Sequence, residues 1–234
     1  MTRLLFLPGL LATLVVNMIP LYGVLFWGWD TFQLLMLYWF ETVMIAYWTI
    51  RRIALLPEEQ ALKAKGKTGL IDGQTSFFTL HAGIFIAVHF ILLWAFFSWN
   101  WFKKVSGIAT FFFQLFIANG IWAALLLMLL FHWVLFRTDP LVAGARPNAS
   151  SSVVQARDRA AGSGIMPIVA ALYTRIFIMQ IAIILGALLS DFTGSLAPLV
   201  IVIVLKTVVD LALAAFTPLK ALLFASGETP ARGR

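Results

Sequence analysis

The chain has 234 residues, 62% of them hydrophobic and 12% charged, with a formal net charge of +7. Soluble domains are about half apolar and a quarter charged, so a mean hydropathy of +0.95 excludes an ordinary soluble domain and points to a membrane protein. Cysteine is absent, which excludes disulfides, thiolate metal sites and cysteine nucleophiles but leaves the redox compartment open.

Six stretches reach the roughly 20 apolar residues that a hydrocarbon core of about 30 Å requires: 4–27, 33–50, 78–98, 111–136, 165–189 and 196–217. The runs are continuous rather than alternating, so they read as helices and not as barrel strands. The expected fold is all-α: one polytopic domain over 1–234, a transmembrane bundle of six helices with loops at 51–77 and 137–164. The first run follows Arg3 like a signal peptide, but it continues past Asn17 and Pro20 to Trp27 without a small-residue cleavage site. A retained helix is expected.

The second run, "LLMLYWFETVMIAYW" over 34–48, carries one carboxylate, Glu41. A charge at that depth costs at least a few kcal/mol and requires a partner. In the loop that follows, "LPEEQALKAKG" reads as a short helix, opened by Pro57, supported by Glu59 and Lys63 at i,i+4 and ended by Gly66. The third run contains "HAGIFIAVHF", with His81 and His89, and a small-residue pair at Gly83 and Ala87 that reads as a packing face. A second such pair is Gly186 with Ser190. After the third run, "SWNWFKK" over 98–104 resembles an interfacial aromatic belt with snorkelling lysines.

The fourth run holds His132, and the small, polar stretch 146–164 reads as a mobile linker. Arg175 lies in the fifth run, and Lys206 and Asp210 stand i,i+4 in the "LKTVVDLAL" of the sixth. No G-x-S-x-G serine, Gly-rich phosphate loop or internal helical repeat is present.

Basic residues set the expected orientation. Arg3, Arg51, Arg52, Lys63, Lys65, Lys67, Arg137, Arg146, Arg157, Arg159, Lys220, Arg232 and Arg234 fall on one side, thirteen in all; only Lys103 and Lys104, with Asp30 and Asp191, fall on the other. The positive-inside rule then places both termini in the cytoplasm. Topology accounts for the basic balance, so the expected partner is the lipid bilayer and not nucleic acid. A second copy of the chain or a membrane-complex subunit stays open as a further partner.

Counting from the cytoplasmic helix ends at 1.5 Å per residue places Glu41, His89, Arg175 and Lys206 about 15–18 Å deep. Asp210, His132 and His81 come out at about 12, 8 and 5 Å. The reading is a buried polar layer of Glu41, His89, Arg175, Lys206 and Asp210, with a cytoplasm-side cluster of His81 and His132. Buried ions persist only when paired. Lys206 pairs locally with Asp210, which leaves Arg175 as the expected partner of Glu41.

His81 and His89 are eight residues apart, about 12 Å along the axis, too far for one ion to bridge comfortably. Cations at the midplane also oppose a metal there. Hence no metal is expected; the alternative metal site is a shallower one formed by His81, His132 and Asp210. No cofactor is identifiable.

"LYWFE" (37–41), "HAGIFIAVHF" (81–90), "YTRI" (173–176) and "LKTVVD" (205–210) together resemble an uncharacterised bacterial multi-pass inner-membrane family, a domain of unknown function. The resemblance implies that Glu41, His81, His89, Arg175, Lys206 and Asp210 are signature polar positions. It also implies that Gln180 stands where relatives often carry a histidine, which weakens a metal role. Three functions are weighed. The first is movement of a proton or small polar solute along Glu41, His89, Arg175, Asp210 and His81. The alternatives are a membrane-embedded, metal-dependent enzyme and a structural or assembly subunit of a membrane complex.

Overall fold

A computed structural model describes residues 2–67, 72–98, 101, 103, 105–193 and 197–225. Of the expected features, positions 99, 100, 102 and 104 of the aromatic belt, the tail arginines Arg232 and Arg234, and the side chains of Arg3, Ser190, Asp191 and Lys220 lie outside the described residues. The described residues are helical and contain no strand.

In chain order the helices are α1 (Thr2–Phe26), α2 (Thr31–Ile53), α3 (Pro57–Ala64), α4 (Gln74–Phe97), α5 (Ile108–Phe112), α6 (Ile121–Thr138), α7 (Pro140–Ala143), α8 (Ser151–Gly162), α9 (Met166–Thr193) and α10 (Ala197–Ala225). Four of the described segments are long and apolar enough to cross a membrane: Gly9–Phe26, Gln74–Phe97, Ile121–Thr138 and Met166–Leu185. Only 17–33% of each is buried within the protein. Their exposed faces carry Val15, Ile91, Leu130 and Phe177, which suits contact with lipid.

The centre belongs to α2. It packs against α4, α6 and α9, while α10 closes on α1 and α9. Phe32 through Tyr38 are buried at seven consecutive positions, so protein surrounds this part of the helix on every side. That burial explains how a helix interrupted by Glu41 can occupy an apolar assembly. Asp30 starts it with a capping box: its Oδ1 accepts from the Gln33 N–H at 2.9 Å, and the Gln33 side chain accepts from the Asp30 N–H at 2.9 Å. Trp101 donates to the other Asp30 oxygen at 3.0 Å.

The structure departs from the sequence reading in four places. The expected 111–136 helix is broken at Asn119–Gly120, with a π-helical turn at Phe113–Ala118 before the break. Gly120 sits at φ +69°, where a side chain would be strained. The interrupted backbone is satisfied locally: Asn119 Nδ2 donates to the Gln114 carbonyl at 2.6 Å, and the Trp29 indole donates to the Asn119 carbonyl at 2.8 Å. Second, most of the expected mobile linker 146–164 is the helix α8, packed on α7 so closely that a Cβ on Gly144 would meet the Arg157 side chain. Its alanines favour helix despite the polar composition. Third, Glu59 turns away from an i,i+4 partnership and accepts from the Gln74 and Thr75 N–H groups at 2.5 and 3.2 Å, capping α4. Fourth, Gly83 and Ala87 face outward, with nothing near Gly83 for a helix to pack on.

Apolar side chains form one large cluster and two smaller ones. The large cluster runs through Leu34–Tyr38 to Leu93, Leu115, Met128 and Met179. The next contains Ile45, Ala46, Ala82, Leu172 and Ile176. Along α2 the gap between them falls at Glu41. A polar layer therefore separates two apolar ones.

Candidate functional site

Lys206 of α10 lies at the centre of that layer. Its Nζ is 2.6 Å from Glu41 Oε2 on α2 and 2.8 Å from Asp210 Oδ2 one turn along its own helix. It also donates to Asn17 Oδ1 on α1 at 2.8 Å. An ammonium has three hydrogens to give, and here all three have acceptors. The Tyr38 ring lies 5.1 Å from the same nitrogen, which adds a cation–π contact.

From this hub the pairing extends in both directions. Glu41 Oε1 faces His132 Nε2 of α6 at 3.4 Å. Asp210 Oδ1 faces Arg175 Nε of α9 at 3.3 Å. The result is an unbroken series, His132–Glu41–Lys206–Asp210–Arg175, drawn from α6, α2, α10 and α9, with Asn17 adding α1. Two carboxylates balance the Lys206 ammonium and the Arg175 guanidinium, so the layer is close to neutral when His132 is neutral. Glu41 and Asp210 are buried, whereas the Arg175 side chain is 25% exposed. The series runs from the interior toward an edge.

Beside it is a recess between α2, α9 and α10, lined by Tyr38, Glu41, Arg175, Met179, Lys206 and Asp210 among others. It encloses about 380 Å³ counted to its open mouth, with free room for about two water molecules. A second ion pair, Arg52 Nε with Asp139 Oδ2 at 3.4 Å, joins the end of α2 to the start of α7.

The expected partners are thus rearranged. Glu41 is held by Lys206, not by Arg175, and Arg175 is held by Asp210. His132, assigned to a cytoplasm-side cluster, belongs to the Glu41 layer. His81 lies apart from it, hydrogen-bonded through Nδ1 to the Tyr173 hydroxyl and stacked on Phe77 at 5.6 Å. His89 is buried on α4, its Nδ1 2.6 Å from the Phe85 carbonyl, and does not touch Glu41. Among the described residues no three His, Asp or Glu side chains gather to hold a metal, so His81, His132 and Asp210 do not form the alternative site. Sequence reasoning missed Asn17 and Tyr38; the only signal for Asn17 was an amide inside an otherwise apolar run.

The chain belongs to a family of unknown function (DUF6498), whose model matches residues 5–223. No curated protein and no solved structure matches it.

The geometry ranks the supporting residues. Asn17→Leu leaves one Lys206 hydrogen without an acceptor and should cost about 1–3 kcal/mol. Arg175→Gln, at the exposed end and with Lys206 still on Asp210, should cost less than about 1 kcal/mol. Reversible unfolding of both variants in one detergent measures the order; a larger loss at Arg175 would contradict it.

Proposed function

We propose that this member of a family of unknown function is a six-span protein of a bacterial inner membrane that moves a proton or small polar solute through the recess between α2, α9 and α10. In this reading α2 and α10 join the four strongly apolar spans. The thirteen basic residues against two support cytoplasmic termini.

One observation carries the functional part. Glu41, Lys206, Asp210 and Arg175 front a common recess with room for water, rather than being sealed between helix surfaces. Polar residues acting only as interhelical glue need no such space. The near-neutral lining disfavours a strongly charged cargo, whereas a series of paired polar groups running from the interior to an edge suits a proton or a small neutral or zwitterionic solute.

A structural or assembly role is the second reading, supported by the full use of Lys206's hydrogens. Proton flux separates the two. In proteoliposomes loaded with a pH-sensitive dye, the wild-type protein should collapse an imposed pH gradient, and Glu41→Gln should reduce that rate by about tenfold or more. The variant should still fold, because Asp210 and Asn17 continue to hold Lys206. Equal rates in wild type, Glu41→Gln and empty vesicles would contradict proton movement.

The absence of cysteine makes orientation directly measurable. Single cysteines at Lys65 and Ser106 should label from opposite sides of the membrane, Lys65 only in inverted vesicles and Ser106 only in intact cells. Labelling of both from one side would contradict the six-span arrangement.

A further inference from the structure

His89 plays no part in the charge series, yet its surroundings are unusual for a packing residue. It is 5% exposed, and its Nδ1 lies 2.6 Å from the Phe85 carbonyl one turn back on α4. A carbonyl accepts only, so Nδ1 carries the hydrogen. In the neutral ring, Nε2 is then a bare lone pair. That atom is buried and has no hydrogen-bond partner, a state that is costly unless something fills it.

A small recess adjoins the ring, lined by His89 with Trp39, Thr42, Ile86, Ile176 and Met179. Its free space suits about one water molecule. Thr42 and Met179 also line the charged recess, so the two spaces meet at these side chains. The Thr42 hydroxyl donates to the Tyr38 carbonyl at 2.8 Å, which leaves its lone pairs free to accept from a water.

We propose that His89 is a proton-binding station, loaded at Nε2 through a water in this recess and exchanging with the charged recess past Thr42. This rests on the proton-moving reading above and gives His89 a defined role in it. In the loading step the water gives a proton to the Nε2 lone pair and takes one from a water of the charged recess. The ring becomes imidazolium, with Nδ1–H still on the Phe85 carbonyl; the reverse transfer restores the neutral ring.

The helices packed on α4 leave the station chemically isolated. α2 brings Tyr38 and Glu41 to this region, and α9 brings Tyr173 and Arg175. Glu41 is held by Lys206 and His132, Arg175 by Asp210, and Tyr173 by His81; Tyr38 lies beneath Lys206. None of the four lines the His89 recess. On its own helix, His81 lies two turns away.

The test uses the full chain in lipid nanodiscs with ¹⁵N-labelled histidine, its three histidines assigned by single replacement. The expected spectrum shows His89 with its proton on Nδ1 when neutral, and Nε2 gaining a second proton on acidification. A neutral ring protonated on Nε2 overturns the inference, as does an Nε2 that stays bare throughout the acid range in which the protein remains folded. In proteoliposomes, His89→Asn and His89→Gln should each lower proton flux by about tenfold or more. Wild-type flux in both, with flux through Glu41→Gln still reduced, would remove His89 from the path and leave the functional reading intact. A wild-type protein without flux would overturn both.

Discussion

The Lys206 ammonium is held by Glu41, Asp210 and Asn17 at 2.6–2.8 Å, and the buried arrangement of this protein depends on that coordination. Two carboxylates this close inside an apolar bundle would repel one another strongly in a low dielectric without a cation between them. One lysine meets that need and ties α10 to α2 and α1. Through the outer oxygens of the same carboxylates, His132 adds α6 and Arg175 adds α9. Lipid supplies little hydrophobic drive for helices to associate with one another. A shared ion therefore has unusual influence over which helices meet and in what rotation.

The architecture follows from that constraint. The helix bearing Glu41 is the one most surrounded by others, with Phe32 to Tyr38 buried on all sides, whereas the apolar helices around it present much of their surface outward. Apolar clusters flank the layer along α2 and isolate it. Yet the layer is not sealed: a recess with room for water adjoins it, and Arg175 stands at the exposed end. Pairing keeps the charges tolerable in the interior, and the recess gives them something to act on. The proposed proton movement needs both.

Most helix positions were legible, because length and hydropathy are local properties. The 33–50 reading became Thr31–Ile53 and 165–189 became Met166–Thr193. The Asn119–Gly120 break was also written in the chain, as a pair that commonly ends helices, but the continuous hydropathy around it concealed the signal. The helix at Ser151–Gly162 was missed for the opposite reason: its polar residues suggested a linker, while its alanines and its packing on α7 favoured helix.

The charged residues of the layer could be identified from sequence, but their partners could not. Depth counted along an axis locates Cα atoms, whereas a lysine carries its charge several ångströms further along a flexible stem. Depth also says nothing about rotation. His81 and His89 are eight residues apart, which turns them about 80° around α4; one meets Tyr173 and the other faces its own recess. His132 looked shallow by residue count, yet it points at Glu41. Pairing depends on which faces of five helices converge, and one sequence does not encode that in any local pattern.

The most direct test of the central claim is a double-mutant cycle on Glu41 and Lys206, using Glu41→Gln and Lys206→Met singly and together, with unfolding followed in one detergent. Lys206→Met removes the shared cation, leaving Glu41 with only His132 and Asp210 with only Arg175, and should cost about 3–5 kcal/mol. Glu41→Gln loses one charged hydrogen bond and should cost about 1.5–3 kcal/mol. The double variant should fall short of their sum by about 2 kcal/mol or more, since neutralising Glu41 relieves part of what losing Lys206 exposes. Costs that add to within about 0.5 kcal/mol would mean that the two residues do not depend on each other, and the account of Lys206 as the hub of the interior would be wrong.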